Sequence, residues 1–122
     1  MRRTGLDNIS YKVLLRTDRS WDGECYDPYP SGPPELSLLR YEIPPRAVVP
    51  WHRHFAPCVG MVVSGTLHVE SRSGLWRVLE AGDALPEMVE TAHRGIAGDE
   101  PVVLLVFHAG VKGMPTTIFD SP

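Results

Sequence analysis

Apolar and polar residues alternate with a period of two along most of this chain, in short runs broken by turn residues. Leu36–Ile43 sets Leu36, Leu38, Arg40 and Glu42 against Ser37, Leu39, Tyr41 and Ile43, the pattern of a strand buried on at least one face. Thr66–Ser71 puts Leu67 and Val69 on one face and His68 and Glu70 on the other. Further extended runs cover Ile9–Arg16, Ala47–His54, Cys58–Val63, Leu75–Leu79, Ala84–Met88, Val102–His108 and Thr116–Phe119. Pro44-Pro45, Ser64-Gly65 and Ser73-Gly74 mark the breaks between them. Eight or nine short strands are therefore predicted. No stretch holds a 3.6-residue period, so helix content should be very low. Between Ser20 and Pro34 the character changes. Trp21-Asp22-Gly23, Pro28, Pro30, Gly32, Pro33 and Pro34 cannot sustain a helix or a central strand. This segment reads as an arm held on the body of the protein by Trp21, Tyr26 and Tyr29. The expected fold class is all-β, a sandwich or barrel. Residues 1–34 supply a strand and a Pro/Gly-rich arm, and 35–122 the barrel, in one domain.

Composition narrows the classes of function. The chain has 122 residues, 43% hydrophobic and 22% charged, which suits an ordered globular domain. The 11 glycines and 12 prolines are spread between the runs, as turns would be. A net charge of −3, from 12 basic and 15 acidic residues, lacks the basic excess of a nucleic-acid binder. The longest apolar run, Val102–Phe107, is too short to span a bilayer, so no membrane partner is expected. Met1–Asp7 is basic with no apolar segment behind it and does not read as a secretory signal. The two cysteines, Cys25 and Cys58, are expected to be free thiols in a reducing cytoplasm.

His52-Arg53-His54 carries the first hint of chemistry. Side chains at i and i+2 of a strand share a face, and two neutral imidazoles there can hold one metal ion. His52-x-His54, three residues, Cys58 and then Val62-Val63-Ser64-Gly65 resembles the first motif of the cupin superfamily, which has a glutamate where Cys58 stands. Ala81-Gly82-Asp83-Ala84, with His93 eleven residues after Gly82, resembles the second motif. The resemblance covers Leu36 to Gly110 and implies a small single-domain, RmlC-like cupin: a double-stranded β-helix, or jelly-roll barrel. It implies His52, His54 and His93 as ligands of one divalent transition metal (iron, zinc, nickel, copper or manganese), or as relics in a cupin that binds none. Two departures stand out. Cys58 replaces the family glutamate, and Val89-Glu90-Thr91-Ala92 replaces the usual proline-glycine turn. A thiolate would soften the site toward iron, copper or zinc. Thiol dioxygenases of this superfamily also use three histidines without the glutamate, though they are longer.

Glu87 is a candidate replacement carboxylate, as a ligand, a partner to a histidine or a general base. The alternative is a carboxylate at the barrel mouth or on its outer face, and Glu90 is the weaker candidate. Glu87 and Cys58 are the catalytic candidates. Cys58 reads equally as a small buried hydrophobe. His68 lies on the polar parity of its strand. His108 is expected at the surface or in a dimer contact. Arg53 and Arg94 should point away from the lumen. The functional expectation is a metal-binding cupin acting on a small organic molecule, with an oxygenase-type reaction leading. The alternative is a non-enzymatic cupin that binds or senses a small ligand, with or without metal. A homodimer is expected, with Ile9–Arg16 at its interface.

Overall fold

The structure is a computed structural model that describes residues 8–120. Nine strands follow in order: β1 Pro34–Ile43, β2 Val48–Arg53, β3 Cys58–Ser64, β4 Thr66–Ser71, β5 Trp76–Glu80, β6 Ala84–Pro86, β7 His93–Ala97, β8 Val102–Val111 and β9 Ile118–Phe119. They form two antiparallel sheets, ordered β1-β8-β3-β6 and β5-β4-β7-β2-β9. Apart from the β4–β5 hairpin, sequential strands fall in opposite sheets, as in a jelly roll. Among the described residues there is no helix, and none long and apolar enough to cross a membrane.

The inner faces follow the period of two. Cys58, Gly60 and Val62 of β3 are buried, as are Leu67 and Val69 of β4, and Val102, Val106 and His108 of β8. Val62, Leu67, Val69 and Val102 make the hydrophobic core with Leu79, Leu85, Met88 and Trp21. The sheet β5-β4-β7-β2-β9 carries His52 and His93, and Cys58 and His108 face them from the other sheet.

Two expectations are corrected. Ile9–Arg16 forms no strand, and Ile9, Tyr11, Val13 and Leu14 lie exposed. Alternation alone cannot make a strand without a ladder partner for its backbone. In the single chain this segment therefore has no ladder partner. β7 is the strand that the alternation did not announce. Its inward residues, His93, Gly95 and Ala97, are polar or small. Gly95 is closely packed: a Cβ there would lie 3.2 Å from Leu67 Cδ1, and the leucine would have to give way.

The arm is ordered. Trp21 is buried, and its backbone N–H donates to Pro86 O at 3.0 Å. The Tyr26 hydroxyl donates to Glu87 O at 2.6 Å, whereas Tyr29 is exposed and does not hold the arm. Tyr26→Phe should lower stability by about 1 kcal/mol, read from a urea midpoint, because it leaves a half-buried carbonyl without its donor.

Candidate metal centre

A bulge builds the face that carries the histidines. Val49 pairs with Gly95, and His52 pairs with His93, so β2 advances three residues while β7 advances two. The extra residue turns Val49 and His52, which strict alternation would separate, toward the same lumen. Trp51 is turned outward, where the guanidinium groups of Arg72 and Arg94 stack on its ring at 4.5 and 4.7 Å. His54 follows β2 at once, and His93 opens β7. The ring centroids lie 5.1 Å apart for His52–His54, 4.4 Å for His52–His93 and 5.0 Å for His54–His93.

Each ring is held by a backbone carbonyl. Nδ1–H of His52 donates to Pro50 O at 2.6 Å, that of His54 to Thr116 O at 3.0 Å, and that of His93 to Thr91 O at 2.9 Å. Such bonds fix the tautomer and leave Nε2 with a free lone pair in each ring that is neutral. One nitrogen from each of the three rings lies within 4.8 Å of the other two.

Glu87 comes from the other sheet. Its backbone N–H donates to Cys58 O at 2.9 Å, which continues the β3–β6 ladder by one step. The side chain is buried in the lumen, with Oε2 3.0 Å from His93 Nε2 and 3.9 Å from His54 Nε2. At 3.0 Å the carboxylate and the His93 ring interact directly. The carboxylate therefore sits one strand over from Cys58, the position where the family motif carries its glutamate. Gly60 makes the room, since a Cβ there would lie 3.0 Å from Glu87 Oε1. Gly60→Ala should push the carboxylate off the histidines. The expected result is about 1–3 kcal/mol of lost stability with weaker metal binding, read from a thermal melt and a metal titration.

Burial raises the pKa of Glu87, but the adjacent His93, with His54 and His52 beyond it, outweighs that and holds the carboxyl below its ordinary value. Burial depresses His93, yet the Glu87 carboxylate wins and raises it. Burial prevails at His52, which is lowered, and at His54, which is pushed down to about 4. Glu87 and His93 thus favour each other's charged forms, while burial favours the neutral forms of His52 and His54. Three converging imidazoles, two of them kept neutral by burial, and a buried carboxylate held below its ordinary pKa are donors that suit a divalent transition ion, and the residues fit one.

The lumen beside these groups is a cavity of about 40 Å³ walled by Tyr41, Val49, Leu67, Val69, Leu104 and Val106. It is mostly apolar and holds on the order of three waters.

Residues 39–108 match the cupin domain family. The chain belongs to that family. No curated protein matches it. Among solved structures it is similar to the DMSP lyase DddQ from Ruegeria pomeroyi DSS-3, at 21% identity and a TM-score of 0.63, over 71% of this chain and 44% of that one. It is similar to an oxalate oxidase in complex with the substrate analogue glycolate, at 25% identity and a TM-score of 0.59, over 69% of this chain and 45% of that one. It is also similar to an RmlC-like cupin from Shewanella frigidimarina NCIMB 400, at 24% identity and a TM-score of 0.57, over 65% and 69%. This cupin spans less than half the length of the lyase and of the oxidase.

The remaining candidates separate clearly in this cupin. Glu90 is exposed. Arg94 borders the lumen, but its guanidinium pairs with Glu70 and stacks on Trp51, and Arg53 lies 3.4 Å from Asp120, so both charges already have partners. His68 is exposed, as its parity predicts. His108 is the correction. It is 2% exposed and faces inward, 5.2 Å from the His54 ring. The signal was present, because Val102, Leu104, Val106 and His108 share one parity of β8. Cys58 is also 2% exposed, and burial followed by the charge of Glu87 pushes its thiol pKa far up. It groups with His54 and His108, apart from His52 and His93.

Proposed function

We propose that this cupin holds one divalent transition metal through His52, His54, His93 and Glu87, and acts there on a small organic molecule in an oxygenase-type reaction. The observation that carries the reading is the fixing of all three Nδ1–H groups on backbone carbonyls, which readies the opposite nitrogens for an ion. Three nitrogens and one carboxylate accept iron, zinc, nickel, copper or manganese. Such an ion supplies Lewis acidity toward a carbonyl or carboxylate oxygen and, if it is iron, chemistry with dioxygen. The chain's own residues do the rest. Glu87 enters as a ligand, because a carboxyl held charged is a poor proton acceptor. The carbonyls of Pro50, Thr91 and Thr116 hold the rings, so little ordering remains when the ion arrives. Apolar walls exclude water and restrict the substrate to a few non-hydrogen atoms at the ion. A small acid such as the glycolate held by the similar oxalate oxidase suits that size. Exposed Ile9, Tyr11 and Leu14 support self-association of two chains, which the solution mass of the intact protein tests.

Oxygen uptake by the iron(II)-loaded protein, measured with small diketones, thiols, phenols and hydroxy acids, tests the reaction. Turnover with one class, lost in Glu87→Gln, supports an oxygenase. Tight binding of one compound with no turnover under any metal replaces that reading with a ligand-sensing cupin, which the small cavity also favours.

A further inference from the structure

A second group of donors, here the inner one, shares His54 with the first, outer one. Cys58 opens β3 and His108 lies opposite it in register on β8. His54 faces both. One donor atom from each of His54, Cys58 and His108 lies within 4.8 Å of the other two. Both Cys58 and His108 are 2% exposed, and His108 Nε2 is buried with no hydrogen-bond partner. An orphaned imidazole nitrogen beside a buried thiol costs stability unless something takes up its lone pair or its proton.

We infer that His54, Cys58 and His108 form a second, softer metal site, for a thiophilic ion such as zinc, cadmium or copper(I). Two imidazole nitrogens and one thiolate sulfur are the donors that such ions select over carboxylate oxygen. Binding moves one proton: the S–H bond breaks, a sulfur–metal bond forms, and the proton leaves to solvent. Burial holds that proton on the free thiol, and the charge of the ion supplies the drive to remove it.

His54 belongs to both groups, and here the inference rests on the proposed function. A neutral ring that keeps its Nδ1–H bond to Thr116 O serves one ion. Filling both sites at once would require a bridging imidazolate and the loss of that bond. The barrel thus offers two alternative positions, one of nitrogen and oxygen donors and one of nitrogen and sulfur donors. A thiophilic ion on the inner site excludes the ion on the outer one.

Cobalt(II) titration reads this directly, because a cobalt–thiolate bond gives a near-ultraviolet charge-transfer band that nitrogen and oxygen ligands do not. Cys25 is a free exposed thiol, so a Cys25→Ser background removes its contribution. The band should appear in that background, survive in His52→Ala/His93→Ala, and disappear in Cys58→Ser. In His108→Ala the apparent affinity should fall at least about 10-fold. Cys58→Ala and His108→Asn, checked by circular dichroism, serve where a first variant does not fold. No band in the background, a band lost in His52→Ala/His93→Ala, or one undiminished in His108→Ala would overturn the inference. Cobalt bound by Cys58→Ser without the band keeps the outer site. Its failure to bind there, with the band intact in the parent, removes the outer site and leaves this one.

Discussion

Replacing His93 by alanine is expected to weaken divalent-metal binding by roughly 100-fold or more, beyond what loss of a partner outside the ligand set costs. His93 supplies one of three converging nitrogens and is the group nearest to Glu87, at 3.0 Å. The same change should destabilise the metal-free protein by about 3 kcal/mol, because it strands a buried carboxylate whose charge His93 supports. Glu87→Gln in the His93→Ala background should recover most of that stability and none of the affinity. That split distinguishes a ligand from a packing residue. A competition titration against a chromophoric chelator and a urea denaturation curve measure the two effects separately. Unchanged metal affinity in His93→Ala would remove this histidine from the site.

The metal-free protein should lose stability as the pH falls from about 6.5 to 4, with His54 as the largest single contributor. Its pKa is pushed down to about 4 by burial, against an unfolded value of 6.5. The unfolded chain therefore takes up a proton in that window before the native chain does, and protonation favours unfolding. The shift corresponds to about 3 kcal/mol between neutral pH and pH 4. His52 and His108 are lowered by burial and act in the same direction. Glu87, also lowered, adds to the loss below its unfolded value of 4.5, as pH falls through its folded pKa. His93 opposes them. Its raised pKa gives stability that is fully present below 6.5 and is lost as the pH rises through the folded value. Between pH 6.5 and 4 the His93 contribution is constant, so it does not offset the acid limb. Urea midpoints of chelator-treated protein at pH 7, 6, 5 and 4 measure it. His54→Asn should flatten the limb by about the amount assigned to His54. A limb of the same depth in His54→Asn would show that this ring is not held neutral by burial.

Where alternation carries hydrophobic residues, the strands are legible in the sequence. β4 matches its expected span, Thr66–Ser71, and β1, β3, β5, β6 and β8 differ at their ends. The misses have physical causes. β7 buries a ligand candidate, a glycine and an alanine, so its inward face shows no hydrophobic period. Ile9–Arg16 has the period but pairs with no strand. The histidines of the outer group are legible because H-x-H and the Gly82-to-His93 spacing are local. Glu87 is legible only as a candidate. Its inward aim depends on a hydrogen bond to Cys58 across a sheet and on space left by Gly60. The approach of His108 to His54 and Cys58 depends on the register of β3 against β8, which is set by residues far apart in the chain.

The central claim is that the three converging histidines hold a metal. Elemental analysis of the purified, untagged protein beside His52→Ala/His93→Ala tests it most directly, with both proteins in the Cys58→Ser background so that the inner group cannot contribute. About one transition metal per chain in the parent, lost in the double variant, is the predicted result. No metal in either protein after reconstitution, or equal metal in both, would contradict the account and leave the histidines as buried polar packing.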